Sequence, residues 1–136
     1  MKLISVVLFV AFVALSNAHH TPEHTENIDV AKKECLASTG ASEAAVDEAK
    51  KGNFADDEKL KEFFFCVGKK IGYVDEAGAY QVDAIKHQIL AGHGNEEEAE
   101  TLSKGCTQTA GSSPQESSFL LAKCLDEKSE HHFNLI

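Results

Sequence analysis

The chain has 136 residues, enough for one ordinary domain and too few for two. With 43% hydrophobic and 26% charged residues, its composition is that of a globular protein rather than a disordered or fibrous one. Its 22 acidic residues outnumber its 13 basic residues, which are all lysines, and the formal net charge is −9. We therefore expect no binding to nucleic acid or to anionic membrane surfaces, because both require a dense basic surface.

The N-terminal segment has the pattern of a secretory signal peptide. A positive charge at Lys2 precedes an apolar run of about 13 residues from Leu3 to Leu15, and small residues precede a cleavage site after Ala18. The alternative, a transmembrane anchor, needs roughly 20 apolar residues and is disfavoured. We predict that residues 1–18 are removed and that residues 19–136 form one secreted helical domain, with no membrane insertion of the mature chain.

Beyond this segment the pattern predicts helices only, since apolar residues recur at three- and four-residue spacing and no stretch alternates with a period of two. His19–Glu26 is polar and is interpreted as a frayed terminus, so the first helix is expected from Asn27 to the stop at Gly40. Ser42 is expected to cap a second helix that ends before Gly52.

The remaining helices follow from the same signals. The third is expected to start at Asp56–Glu58, whose acids suit the positive end of a helix dipole, and to run through Ile71. Together these six short helices predict an all-α fold. The last three are expected from Val82 to the stop at Gly92-His93-Gly94, from the cap Asn95 to Cys106, and from the capping box Ser113-Pro114-Gln115-Glu116 to Leu125.

The third helix is apolar nearly all round, which is typical of a central helix packed on several sides. Cys66 points away from its most apolar face. Two interpretations of that face are open: it packs as ordinary core, or it lines an internal cavity for which Gly68 and alanine-rich neighbours leave room. The face consists of Leu60, Phe64, Val67, Gly68 and Ile71, with Phe63 and Phe65 to its sides.

The four cysteines are separated by 30, 39 and 17 residues. In a secreted chain this pattern predicts a disulfide framework. A zinc site is disfavoured because thiolate zinc sites normally contain two cysteines two to four residues apart. Four cysteines allow three pairings, and the spacing alone does not choose among them.

The pattern resembles that of the insect odorant-binding proteins, the pheromone- and general-odorant-binding family, which have six cysteines in an all-helical secreted domain. Cys35, Cys66, Cys106 and Cys124 match the first, third, fourth and sixth of these cysteines. The second and fifth would fall at Glu62 and Gln115, and these two pair with each other in the family. Their joint absence is similar to the Minus-C subclass. The Asp75-Glu76-Ala77-Gly78 turn also fits the resemblance.

The resemblance implies disulfides Cys35–Cys66 and Cys106–Cys124, and a carrier that holds a small hydrophobic ligand in an internal cavity. No metal and no cofactor is required, and a membrane receptor downstream is a further partner of such carriers. Without arginine, the protein is expected to favour neutral over carboxylate ligands. A hydrogen bond between Glu62 and Gln115 is expected in place of the missing bridge. The expected ligand-binding residues are Leu60, Phe64, Val67, Ile71, Ile85, Ile89, Leu102, Phe119 and Leu121.

No catalytic motif is present: the sequence lacks Gly-x-Ser-x-Gly, His-Glu-x-x-His and a glycine-rich phosphate loop, so we expect no enzyme. The alternative function is that of a secreted helical signalling protein acting on a receptor, which would need an exposed hot-spot patch rather than a cavity. His131 and His132 precede an apolar C-terminal segment, and their protonation is expected to give at most a mild pH dependence of ligand release.

Overall fold

The computed structural model describes residues 22–92 and 94–130, and side chains from residue 27 onward. It confirms the predicted all-α fold. Within the described residues the only β-type pairing is an isolated bridge between Val74 and Tyr80, and no helix is both long enough and apolar enough to cross a membrane. The helices are α1 (Pro22–Thr39), α2 (Glu43–Lys50), α3 (Glu58–Ile71), α4 (Val82–Ala91), α5 (Glu96–Gly105) and α6 (Pro114–Lys128).

The start predicted for the first helix is wrong, because α1 begins at Pro22 rather than at Asn27. Proline fits the first turn of a helix, where its missing N–H has no intrahelical partner to lose. The polar residues that follow it therefore extend the helix instead of fraying. The predicted stop is correct, and Gly40 after the helix adopts the left-handed conformation, with a φ of 70°.

The predicted N-terminal caps are confirmed. The side chains of Ser42 and Asn95 each accept a hydrogen bond from the backbone N–H three residues later, as the geometry of a helix start requires. Ser113 does the same for Glu116. The Glu116 carboxylate, however, accepts the backbone N–H of Ser112 at 2.8 Å, so the box closes one residue earlier than predicted.

Helix α3 is the centre of the bundle, where it packs against α1 on one side and against α6 on another. Its fully buried residues include Phe63, which lies to the side of the predicted face. Both disulfides that the resemblance implied are confirmed. Cys35–Cys66 joins α1 to α3 with a Cα–Cα distance of 5.7 Å, and Cys106–Cys124 joins the end of α5 to α6 with 5.6 Å.

Helices α4 and α5 pack together through Ile85, Ile89 and Leu102 in the core and through ion pairs at the surface. The Lys86 ammonium lies 2.7 Å from a Glu96 oxygen and 2.8 Å from a Glu100 oxygen. Hydrogen bonds from Lys104 and Lys86 lower the pKa of Glu100 to about 2. Glu96 of the first turn of α5, where an acid suits the helix dipole, thus also ties α5 to α4 through Lys86.

The α3–α4 connection is a tight loop pressed against the start of α6. The Asp75 carboxylate accepts the backbone N–H groups of Ala77 and Ala79, each at 2.9 Å. Gly78 follows with a φ of 84°, and a Cβ atom there would lie 2.6 Å from the Cα atom of Pro114. Glycine is therefore required at this position for both its conformation and its size.

We predict that Gly78→Ala lowers the free energy of unfolding by about 2–3 kcal/mol, since it adds a strained backbone and a clash with Pro114. Urea denaturation measures the change. Gly105→Ala is the matched control, because Gly105 ends α5 with open space around it, and it should shift stability by less than about 1 kcal/mol. Equal losses in the two variants would contradict the packing of this loop.

Candidate functional site

A small cavity lies between α3, the start of the α3–α4 loop, and α6. Its volume is about 10 Å³, which corresponds to about one water molecule. Three residues of the α3 face line this void and Leu60 lies in the close-packed core, so the face packs as core around a small gap. That it lines a ligand cavity stays a prediction. The lining residues are Phe64, Val67, Gly68, Tyr73, Val74, Ser118 and Leu121.

Helix periodicity places three of these residues together. Val67 and Gly68 follow Phe64 by three and four positions, so all three lie on one face of α3. Gly68 has no side chain, and a Cβ atom there would lie 3.2 Å from a methyl carbon of Val74 and 3.8 Å from the Ser118 hydroxyl. The cavity therefore exists partly because this position is glycine.

A Schellman motif brings in two residues that the sequence analysis did not select. Gly72 ends α3 with a φ of 86°, and the N–H of Tyr73 bonds to the carbonyl of Gly68 at 2.8 Å. The chain thus turns back under α3 and points Tyr73 and Val74 into the core. Such a motif commonly carries an apolar residue directly after its glycine. The sequence Gly72-Tyr73-Val74 was therefore an available signal.

Two of the lining residues, Tyr73 and Ser118, carry hydroxyl groups. Ser118 donates its hydrogen to the carbonyl oxygen of Pro114 at 3.0 Å, which leaves its lone pairs to accept. Tyr73 is only 2% exposed, and no hydrogen bond of its hydroxyl is found in the described part of the chain. Burial raises the pKa of Tyr73 well above its usual range, so this phenol stays protonated at physiological pH.

Four phenylalanines form a cluster beside the cavity. The Phe64 ring centroid lies 5.6 Å from that of Phe63, 5.9 Å from that of Phe54 and 6.2 Å from that of Phe119. Phe54 belongs to the α2–α3 connection and is half-buried, and it meets Phe119 edge-on at 5.8 Å. Of this cluster, Phe54, Phe63, Phe64 and Phe119, only Phe64 lines the cavity itself.

The structure does not bring all the predicted ligand-binding residues to one surface. Phe64, Val67 and Leu121 line the cavity. Ile71 is half-buried and lines a groove between α1, α3 and α4, and Leu102 is buried beneath a shallow depression between α5 and the end of α6. The other four, Leu60, Ile85, Ile89 and Phe119, belong to the close-packed core around the cavity.

The hydrogen bond expected between Glu62 and Gln115 is not found in the described part of the chain. Glu62 is exposed to solvent, where water hydrogen-bonds its carboxylate and a bond to the Gln115 amide would add little stability. Its neighbour Lys61 crosses from α3 to α6 instead, with its ammonium 2.8 Å from an Asp56 oxygen and 5.6 Å from the centroid of the Phe119 ring.

The described residues contain no candidate metal site. Among the described residues, no group of three or more His, Cys, Asp or Glu side chains is arranged to hold a metal ion. His131 and His132, whose protonation was expected to affect ligand release, lie outside the described residues.

The chain is similar to insect proteins in both sequence and structure. Residues 17–128 match the profile of the PBP/GOBP family. The B2 protein of Tenebrio molitor is 33% identical over 121 residues, which are 89% of this chain and 90% of that protein. The family profile covers all six helices and all four cysteines.

Two solved structures are similar to this chain in fold. Odorant-binding protein dmelOBP28a from Drosophila melanogaster has a TM-score of 0.70 and 22% identity, and the match covers 81% of this chain and 95% of that one. The THP12 carrier protein from the yellow meal worm has a TM-score of 0.59 and 31% identity, over 71% of this chain and 89% of that one.

The two tyrosines provide a test of the site's geometry. The Tyr80 hydroxyl contacts the carbonyl oxygens of Thr109 and Ser117 at 2.9 and 3.0 Å, whereas that of Tyr73 has no such acceptor. We predict that Tyr80→Phe lowers the free energy of unfolding by about 1–2 kcal/mol and that Tyr73→Phe changes it by less than about 0.5 kcal/mol. Thermal denaturation compares them, and a larger loss for Tyr73→Phe would show that its hydroxyl has a structural partner.

Proposed function

This chain belongs to the PBP/GOBP family, and we propose that it is a secreted carrier that binds a small hydrophobic ligand between its helices and transports it through aqueous extracellular fluid. Proteins of this family are odorant-binding carriers rather than enzymes, which confirms the expectation of a non-enzymatic protein. The observation that carries the proposal is the family match over residues 17–128, supported by the two disulfides that the resemblance implied. The similar THP12 protein of the yellow meal worm is named a carrier protein, which supports the proposal.

Secretion is part of the proposal. Lys2, the apolar run after it and the small residues Ser16 and Ala18 support cleavage after Ala18. Removal of residues 1–18 would leave residues 19–136 as the mature domain. Two intact disulfides support an oxidising compartment, because cytosolic thiols are kept reduced.

The cavity must expand to hold a ligand, since small-molecule sites usually have volumes of roughly 300–1,000 Å³. Burial of the ligand's apolar surface supplies the free energy, at about 25 cal/mol per Å². Tyr73 and Ser118 are the polar groups available to orient the ligand, and both are neutral. We therefore propose a neutral ligand such as an alcohol, aldehyde or ester.

Expansion would involve the residues next to the present void. Outward rotation of the Phe64 and Phe119 rings would enlarge the void into the space that these rings now fill, since both belong to the aromatic cluster beside it. The proposed site in its enlarged form comprises the seven lining residues together with Leu60, Ile85, Ile89 and Phe119.

Phe54 is the proposed gate. It is carried by the α2–α3 connection, which has no helix of its own, and it contacts both Phe64 and Phe119. Displacement of this one half-buried ring would open a route to the cavity without moving any helix. Connections of this kind commonly move to admit ligands.

We predict that Gly68→Ala weakens binding of diphenylhexatriene, an apolar fluorescent probe, by about tenfold or more, since the added methyl group fills the existing void. Fluorescence titration measures the affinity and the stoichiometry, which should be one probe per chain. Gly105→Ala is the control and should bind like the wild type. Unchanged affinity in a folded Gly68→Ala protein would place the ligand elsewhere.

We predict that Phe54→Ala accelerates both association and dissociation of the same probe severalfold, because it removes the gate while the cavity lining stays intact. Stopped-flow fluorescence measures both rates. Phe65→Ala is the matched control: Phe65 is also a half-buried phenylalanine, but it contacts Lys69 and lies outside the cluster. Equal rates in the wild type and Phe54→Ala would exclude this route.

A further inference from the structure

A second, larger concavity lies on the other side of the molecule, between α1, α3 and α4. Its volume is about 440 Å³, within the usual range of small-molecule sites and far above that of the central cavity. Ile28, Ala31 and Ile71 form its apolar part, and Val30 beside them is 48% exposed, the only large hydrophobic side chain in the described residues with such exposure. We call this feature the α1–α4 groove.

One polar atom of the groove is unsatisfied. The side-chain oxygen of Gln88, which lines the groove from α4, is buried and has no hydrogen-bond partner. No other side-chain nitrogen or oxygen in the described residues is both inaccessible to solvent and without a hydrogen-bond partner. Buried polar atoms are nearly always paired, so this acceptor on a groove-lining, half-buried side chain lacks a donor, which a ligand in the groove would supply once the Gln88 amide turns outward.

The charges around the groove are already compensated. Lys70 and Glu34 line it from α3 and α1, and the Lys70 ammonium lies 2.7 Å from a Glu34 carboxylate oxygen. Neither an anion nor a cation would find a free countercharge in this pair. The groove therefore favours a neutral molecule that combines an apolar body with one hydrogen-bond donor.

We propose that the α1–α4 groove is a second ligand site, for a neutral amphipathic molecule whose hydroxyl or N–H group donates to the side-chain oxygen of Gln88. The apolar body of this molecule covers Ile28, Ala31 and Ile71. This site differs from the central cavity in its polar groups, because the hydroxyls of Tyr73 and Ser118 can each donate or accept, whereas the Gln88 oxygen only accepts. The groove would therefore discriminate more sharply against ligands that have no hydrogen to donate.

Methyl-resolved NMR of the full-length oxidised protein tests the proposal with two isomeric ligands, decanol and methyl nonyl ether. Both ligands are similarly apolar, but only decanol has a hydrogen to donate. We expect decanol to shift the methyl signals of Ile28 and Ile71 and to bind there about fivefold to tenfold more tightly than the ether. Signals of Val67 and Leu121 report on the central cavity separately, so failure of the proposed function and failure of this inference are distinguishable.

Gln88→Leu removes the acceptor at similar size and should abolish the preference for decanol over the ether at Ile71. Gln108→Leu is the control, because Gln108 is an exposed glutamine outside the groove and should leave the preference unchanged. Three results would overturn the proposal: shifts confined to Val67 and Leu121, equal affinity of the wild-type groove for both ligands, or Ile71 signals that change with protein concentration alone. The last result would assign the groove to a second copy of the chain.

Discussion

Burial of one broad face of α3 is the constraint on which the fold depends, although its charged residues Glu58, Lys59, Glu62, Lys69 and Lys70 stay exposed. Such a helix needs one partner for its cysteine side and another for its phenylalanine side. Cys35 of α1 supplies the first through a disulfide, and α6 supplies the second through Phe119 and Leu121. Each disulfide closes a loop for which the chain-entropy model gives about 3–4 kcal/mol, a large share of the stability of a small domain.

The sequence predicted the helices well because their ends are encoded locally. Gly40 and Gly72 adopt the left-handed conformation that stops a helix, and Ser42, Asn95 and Ser113 supply the caps. The start of α1 was missed because a polar first turn gives no hydrophobic period to detect. The disulfide pairing was predicted only through the family resemblance, since the spacing allowed three arrangements.

The site was less predictable because a cavity is the space that packing leaves empty, and it is not a property of any one helix. A helical wheel identifies an apolar face but not which part of it faces a void, so Leu60 and Val67 were equivalent in the sequence. Tyr73 and Val74 come from a loop that periodicity does not cover. Gln88 also gave no signal, because its importance lies in a hydrogen bond that it does not make.

The two disulfides close separate loops of the chain and none joins one loop to the other. The loops span residues 35–66 and 106–124, and all four cysteines are used. Of the cavity lining, Phe64 lies in the first loop, Val67 to Val74 follow it, and Ser118 and Leu121 lie in the second loop. No disulfide therefore spans the cavity, and α6 can move away from α3 to admit a ligand without straining either bridge.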